Sequence, residues 1–221
     1  MLDIHTHILP GMDDGSKSVE ESLMMLREQA RQGVDTVVCT PHFYAEQNDP
    51  AQFIARREAA WNQLKPELTP ELPAIRLGAE VQYFTGISRV ESVSRLRIQG
   101  TNLLLLEMPF SKWTDWAVEE AMELNSREDM QVILAHIERY LQWQPKDIVE
   151  RMVDAGFLIQ CNVEFFKHWR TKHKALRMLR DGQIHLIASD CHNMSSRKPN
   201  LGQLPREALA YMADVGLADE E

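Results

Sequence analysis

The sequence predicts an α/β barrel, closed or nearly so, and three observations point to it. Short apolar runs alternate with helix-like segments seven times along the 221 residues. The runs are uniformly apolar, the pattern of parallel strands buried on both faces. A polar side chain able to do chemistry stands at the end of every run, and α/β barrels build their sites at the C-terminal ends of their strands. An open sheet would spread those groups along a line, whereas a closed barrel gathers them into a ring.

The elements follow in order. Leu2–Ile4 reads as strand one. Ser18-Val19-Glu20-Glu21 is a capping-box pattern that satisfies free N–H groups at a helix start. Leu23, Met24, Leu26 and Ala30 continue at helical spacing, and Gly33 is a good stop. Thr36–Cys39 is a β-branched run, strand two, ending in Thr40-Pro41-His42. Asp49-Pro50 starts a helix to about Lys65, with proline at the first helical position. Ile75–Ala79 is strand three, ending at Glu80, and residues 87–96 read as helical. Leu103–Leu106 is strand four, ending at Glu107, with a helix over Thr114–Asn125. Val132–Ala135 is strand five, ending at His136, with a helix over Pro145–Ala155. Phe157–Cys161 is strand six, ending at Asn162 and Glu164, with a helix over Trp169–Asp181. Ile184–Ala188 is strand seven, ending at Asp190 and His192, and Pro205–Val215 is the last helix. No linker or repeat interrupts residues 1–221, so one domain is expected. No dinucleotide fingerprint or Walker loop follows strand one.

Hydrophobic content of 44% and charged content of 26% are ordinary for a soluble globular chain. The net charge of −9 argues against a general nucleic-acid or anionic-membrane surface. Asp3 and His5 interrupt any apolar leader, and no run approaches the ~20 residues of a membrane span. Cys39, Cys161 and Cys191 form no paired pattern, so a cytoplasmic location with free thiols is expected.

His5 and His7 alternate on one strand face, roughly 7 Å apart, within reach of one cation. His42 and Glu80 taken singly could be a turn residue and a surface charge. Glu107 directly follows four leucines, and a carboxylate buried there must be paired or metal-bound. His136 invites the same argument, and Asp190-Cys191-His192 repeats the D-x-H pattern of the opening stretch. The set exceeds one cation's needs, so two or three metals sharing carboxylates are expected. Arg139 and Arg197 are candidate phosphate clamps through paired N–H contacts. Phe43, Tyr44, Phe110, Trp113, Phe165 and Phe166 follow strand ends and could line a ring pocket. Cys191 and Arg197 also fit C-x5-R, the phosphate loop of cysteine phosphatases. That loop lacks glycine, however, and Asp190 beside the thiol would raise its pKa.

Asp3-x-His5-x-His7, Thr40-Pro41-His42, Gly78-x-Glu80, Glu107, Ala135-His136 and Ser189-Asp190-x-His192 together resemble the polymerase-and-histidinol-phosphatase (PHP) superfamily. Leu9-Pro10-Gly11-x-Asp13-Asp14-Gly15, His136-Ile137-Glu138-Arg139-Tyr140 and Ser189-Asp190-x-His192-Asn193 with Arg197 resemble one branch. That branch is the manganese-dependent protein tyrosine phosphatases encoded with bacterial capsule and exopolysaccharide genes. The resemblance spans nearly the whole chain, whose C-terminal end is short for the family. It implies a distorted (β/α)7 barrel with three divalent metals, manganese foremost, with iron, cobalt or zinc as alternatives. By position, one metal takes His5, His7, Glu80 and Asp190. A second shares Glu80 and takes Glu107 and His136. The third takes His42 and His192 with Asp14, Asp13 being the alternative. It further implies a phosphoric monoester hydrolase using metal-bound hydroxide, with Arg139, Arg197, Phe43 and Phe110 at the substrate. The implied partner is an autophosphorylating tyrosine kinase, with no nucleic acid, no membrane insertion and an oligomer possible in principle. The rival readings are a small-molecule phosphatase like the histidinol-phosphate enzymes, a superfamily exonuclease, and a metal-binding regulator without catalysis.

Overall fold

A computed structural model describes residues 1–212 and shows nine parallel strands rolled into a barrel. The last helix read from the sequence extends past residue 212, and that part lies outside the described residues. One group of strands has the order β1 (Leu2–Thr6), β2 (Thr36–Cys39) and β4 (Ala74–Leu77). The other runs β3 (His42–Phe43), β5 (Glu80–Gln82), β6 (Leu103–Glu107), β7 (Gln131–Leu134), β8 (Leu158–Asn162) and β9 (Leu186–Ala188).

Nine strands replace the seven read from the sequence because two of those seven are broken. The second splits into β2 and β3 at Thr40-Pro41, where proline has no N–H to give the ladder. The third splits into β4 and β5 at Gly78-Ala79. A Cβ on Gly78 would sit 3.3 Å from Ile98 Cγ1, so the break admits the side chain that plugs the barrel floor. Backbone bonds carry the wall across both breaks: Gly78 N donates to Cys39 O at 2.8 Å and Glu80 N to Pro41 O at 3.1 Å. Closure comes at β1 and β9. Asp190 N donates to His5 O and His7 N to Cys191 O, both at 2.9 Å, beside a parallel bridge between Thr6 and Cys191.

The helices on the outside are α1 (Val19–Arg31), α2 (Pro50–Leu64), α3 (Asp115–Asn125), α4 (Ile148–Asp154), α5 (Glu164–Lys167), α6 (Lys172–Arg180) and α7 (Arg206–Met212). Residues 87–96 form two 3₁₀ turns, Ile87–Arg89 and Glu91–Leu96, in place of the expected α-helix. Among the described residues, no helix is long and apolar enough to cross a membrane.

The strands look uniformly apolar because both faces are buried. Their outward residues, such as Leu104, Leu106, Ile159 and Cys161, pack under the helices. Their inward residues Ile4, Val38, Leu103, Leu105, Ile133, Leu186 and Ala188, with Ala135 just past β7 and Ile98 from the segment before β6, form a small separate core. On β6, β8 and β9 alternation then carries the inward column upward from apolar to polar, while β1 shifts register between Asp3 and Thr6, where His5 stands. Leu103 and Leu105 lead to Glu107, Leu158 leads to Gln160 and Asn162, and Leu186 and Ala188 lead to Asp190. The floor is hydrophobic and the mouth is a ring of ionisable groups.

Candidate metal centre

The first strand supplies two imidazoles aimed at one point. His5 Nε2 and His7 Nε2 lie 3.3 Å apart, and both residues are buried. Glu80 Oε2 is 3.2 Å from the first and 3.3 Å from the second. Asp190 Oδ1 is 3.4 Å from His5 Nε2 and 3.6 Å from His7 Nε2. Those spacings are what neighbouring ligands adopt around a cation held at roughly 2.0–2.2 Å. Three groups have ligand atoms within 4.8 Å of one another: His7, Asp14, His42 and His192; His5, His7 and Asp190; and His42, Glu80 and Glu107.

Several of these atoms are buried without a hydrogen-bond partner: Glu80 Oε2, Asp190 Oδ1, His42 Nδ1 and His192 Nε2. Buried polar atoms are normally satisfied, and leaving one unpaired costs about 1–3 kcal/mol. A cluster of them pointing inward fits cations, which take lone pairs and give nothing back. The donor set is imidazole and carboxylate, suited to first-row divalent metals.

His136 Nε2 lies 2.9 Å from Glu80 Oε1 and 3.4 Å from Glu107 Oε1. Inward alternation along β7 ends at Ala135, so His136 should point outward. It turns in because its backbone is left-handed, with φ 32°. Asp190, with φ 50°, is the other non-glycine residue with positive φ among the described residues. Such conformations cost about 1–3 kcal/mol each and gather at functional sites.

Protons balance the carboxylates. Burial pushes the His7 imidazole down, but the facing carboxylates of Asp13 and Glu80 outweigh it and raise its pKa to about 10. Burial opposes and Glu107 and Glu80 raise His136 likewise, to about 9. Burial and the nearby His7 push His192 down to about 3. Burial works against ionisation of Glu80, yet His5, His136 and His42 hold its carboxyl well below the usual range.

The two acids of the first loop part company. Asp14 Oδ1 lies 3.3 Å from His192 Nε2 and 3.5 Å from His42 Nε2, on the rim of the centre. Asp13 stands behind it. Its Oδ2 meets His7 Nδ1 at 2.8 Å and accepts from His42 N at 2.9 Å, while its Oδ1 accepts from Gly15 N at 2.9 Å. Asp13 therefore orients ligands. The grouping also differs from the one implied by resemblance. His7 stands with His42 and His192 as well as with His5, and His42 Nδ1 lies 2.9 Å from Glu80 Oε2.

Arg139 and Arg197 both reach Asp190 Oδ2, at 2.5 and 2.7 Å, and line a cavity of about 400 Å³ beside it. Asn162 Nδ2 donates to the same oxygen at 2.9 Å. Gln160 Nε2 donates to Asn162 Oδ1 at 2.8 Å, and Gln160 Oε1 accepts from His136 N at 2.7 Å. Asn162 is the strand-six end named from the sequence, whereas Gln160, two residues earlier, is not among those candidates. Its signal was there: two amide side chains at alternate positions of an otherwise apolar strand. Glu164 is exposed, bonds Asn200 and lines the same cavity as the two arginines.

The aromatic expectations divide. Phe43 is buried in the wall, edge-on to Phe53 at 5.4 Å, so it cannot line an open pocket; that expectation is corrected. Trp113, Phe165 and Phe166 are buried as well. Phe110 is 47% exposed and stacks on His136 at 5.7 Å, and Tyr44 stacks on His42 at 5.3 Å. Cys191 is fully buried, and burial with Asp3 nearby pushes its thiol well up, the opposite of a nucleophile's need.

Comparison with known proteins converges on one group. The family model "Capsular polysaccharide synthesis, CpsB/CapC" matches residues 1–213. The tyrosine-protein phosphatase CpsB of Streptococcus pneumoniae is 32% identical over 92% of this chain and 87% of its own. The tyrosine-protein phosphatase YwqE of Bacillus subtilis is 31% identical over 89% of this chain and 79% of its own. A crystal structure from work on YwqE and CpsB, described as unique metal-dependent tyrosine phosphatases, superposes with a TM-score of 0.76. It is 25% identical and covers 99% of this chain and 89% of that one.

Proposed function

We propose, from the premise that the chain belongs to the CpsB/CapC family of capsular polysaccharide synthesis proteins, that it is a metal-dependent protein tyrosine phosphatase. Its substrate is phosphotyrosine in a protein, foremost a bacterial tyrosine autokinase of capsule or exopolysaccharide synthesis. The observation that carries the reading is the convergence of unsatisfied imidazole and carboxylate atoms at one barrel mouth, beside two arginines.

His5, His7, Glu80 and Asp190, with Glu107, His136, His42, His192 and Asp14, would hold up to three divalent ions, manganese first. Such ions supply an activated water and neutralise charge on the phosphoryl oxygens. Asp13, Gln160 and Asn162 keep the ligand side chains in place. Arg139 and Arg197 share one oxygen of Asp190, so each has further N–H groups for a phosphate. Both side chains are about one-third exposed, at 36% and 34%, and can meet an incoming anion. Phe110 and Tyr44, stacked on His136 and His42, flank the mouth and could meet a substrate ring. The leaving phenolate has a pKa near ~10, so it asks less of a general acid than an alkoxide would.

The test is chelation followed by assay on a phosphotyrosine peptide and on histidinol phosphate. Activity on the peptide should vanish with metal and return with Mn²⁺. Turnover that survives chelation, or a preference for histidinol phosphate, would overturn the reading.

A further inference from the structure

The net charge of −9 hides a local reversal. Between Phe166 and Asp181 stand Lys167, Arg170, Lys172, Lys174, Arg177 and Arg180, six cations with no acid among them. They occupy the segment that leaves β8 and the whole of α6. Helix α6 buries Ala175, Leu176, Met178 and Leu179 against the barrel, so Lys174, Arg177 and Arg180 face out. Beside it runs a groove of about 700 Å³ between α4 and α6. Leu141, Val149 and Met178 give it apolar walls, and Lys146, Lys174 and Arg177 give it charge. Asp181 is the one acid in its lining. Among the described residues, none of these three cations makes an ion pair. Burial and the neighbouring Arg177 push the Lys174 ammonium down, as cations held together without counter-charge would.

We propose that this groove docks an acidic segment of the phosphoprotein substrate, at a distance from the phosphotyrosine. The proposal rests on the phosphatase reading above and adds a second contact to it. Placement supports it, since Arg139, which lines the cavity beside Asp190, stands only two residues before Leu141 in the groove's lining. A chain held by its phosphotyrosine beside Arg139 therefore starts close to one edge of the groove. Charge supports it, because unpaired cations between apolar walls complement acidic residues interspersed with apolar ones. A concave groove suits a polypeptide better than a flat bilayer, which the chain's overall negative charge would also repel.

The experiment compares two phosphotyrosine peptides on the metal-loaded full chain, one short and one extended by a glutamate-rich tail. Three exposed ion pairs should lower KM for the tailed peptide about tenfold with kcat unchanged. The Lys146→Ala/Lys174→Ala/Arg177→Ala variant should lose that difference and keep the parent's kcat/KM on the short peptide. High salt should erase it too, as the Debye length shrinks from ~10 Å at 0.1 M to ~3 Å at 1 M. Equal KM values in the parent, or an equal loss on both peptides in the variant, would overturn the proposal. So would tighter groove-dependent binding of phosphatidylglycerol vesicles or a single-stranded oligonucleotide. Fluorescence anisotropy of the tail alone, without phosphotyrosine, needs no turnover. A chain that binds the tail yet hydrolyses neither peptide keeps the docking site and refutes the phosphatase reading. A chain that hydrolyses the short peptide without binding the tail does the reverse.

Discussion

Gly15→Ala is the smallest change that should damage the centre. Gly15 is buried and takes no special backbone conformation, so the constraint is space. A Cβ there would lie 2.3 Å from His7 O, 2.5 Å from His7 Cβ and 2.9 Å from Asp13 Oδ1. Real Cβ atoms essentially never come within 3.0 Å of a neighbour, so roughly 0.7 Å must open against backbone. The residues that must yield are a candidate ligand and the acid that orients it. Displacements near 1 Å cost on the order of 10²-fold in rate, so kcat/KM should fall about 10- to 100-fold. Overpacking of this kind costs about 1–3 kcal/mol, roughly 3–10 °C in Tm for a chain of this size. Gly11→Ala is the control. Its φ of +68° strains a side chain, but nothing lies within 4 Å of the new atom. It should lose about 1–2 kcal/mol of stability and no activity. The assay is turnover of a phosphotyrosine peptide, with bound metal and Tm measured on the same preparations. If Gly15→Ala keeps parental kcat/KM and metal content, the reasoning fails.

Four further outcomes are expected. Asp13→Asn keeps the volume but weakens the hold on His7 Nδ1, so metal affinity should fall about 10- to 100-fold; elemental analysis at limiting Mn²⁺ would show it, and full retention would count against the orienting role. Cys191→Ser should leave kcat/KM close to parental, whereas a loss beyond about 100-fold with metal retained would restore the cysteine mechanism. With pKa values of about 10 and about 9, His7 and His136 each carry a proton at pH 7 in the metal-free chain. Cation binding must release those protons, so affinity should rise with pH, and calorimetry in two buffers should show net proton release; none released would refute it. Tyr140→Phe strands the buried Met108 N–H that the phenol oxygen accepts at 3.1 Å, so urea unfolding should show a loss of about 1–3 kcal/mol.

The strand ends were legible because two independent signals coincided there: an apolar run stopped, and a ligand-type side chain followed. His5, His7, Glu80, Glu107, His136, Asp190 and His192 are candidates on that ground, and the fold brings them to one mouth. Local signals failed where a non-local contact decides. The break at Gly78 exists because Ile98, twenty residues on, fills the floor. Residues 87–96 have helical composition, but Gly86 and the extended Val90 limit them to 3₁₀ turns. At Ser18 only half the capping box forms. Ser18 accepts from Glu21 N, while the Glu21 carboxylate accepts from Lys17 N instead of Ser18 N. Asp13 and Asp14 are neighbours of one chemistry, and only the fold separates the one bonded to His7 Nδ1 from the one beside His42 and His192 Nε2. Phe43 was misread because a residue after a strand end was assumed to face the mouth, whereas β3 is itself a strand with a buried outer face. The cations of α6 escaped notice because a total charge averages over them.

The wall of this barrel is sealed where the molecule's opposite extremities meet. Asp3 Oδ1 accepts from Ser189 N across 186 residues of sequence, and one parallel bridge completes the join. His5 and His7 lie on one side of that seam, Asp190 and His192 on the other. Any ion shared between them is therefore a cross-link that turns an open chain into a loop, with the entropic benefit that closing so long a circuit brings. Stripping it should unzip the first and last strands before the middle of the barrel loosens, so hydrogen exchange in β1 and β9 should report the cofactor's departure first.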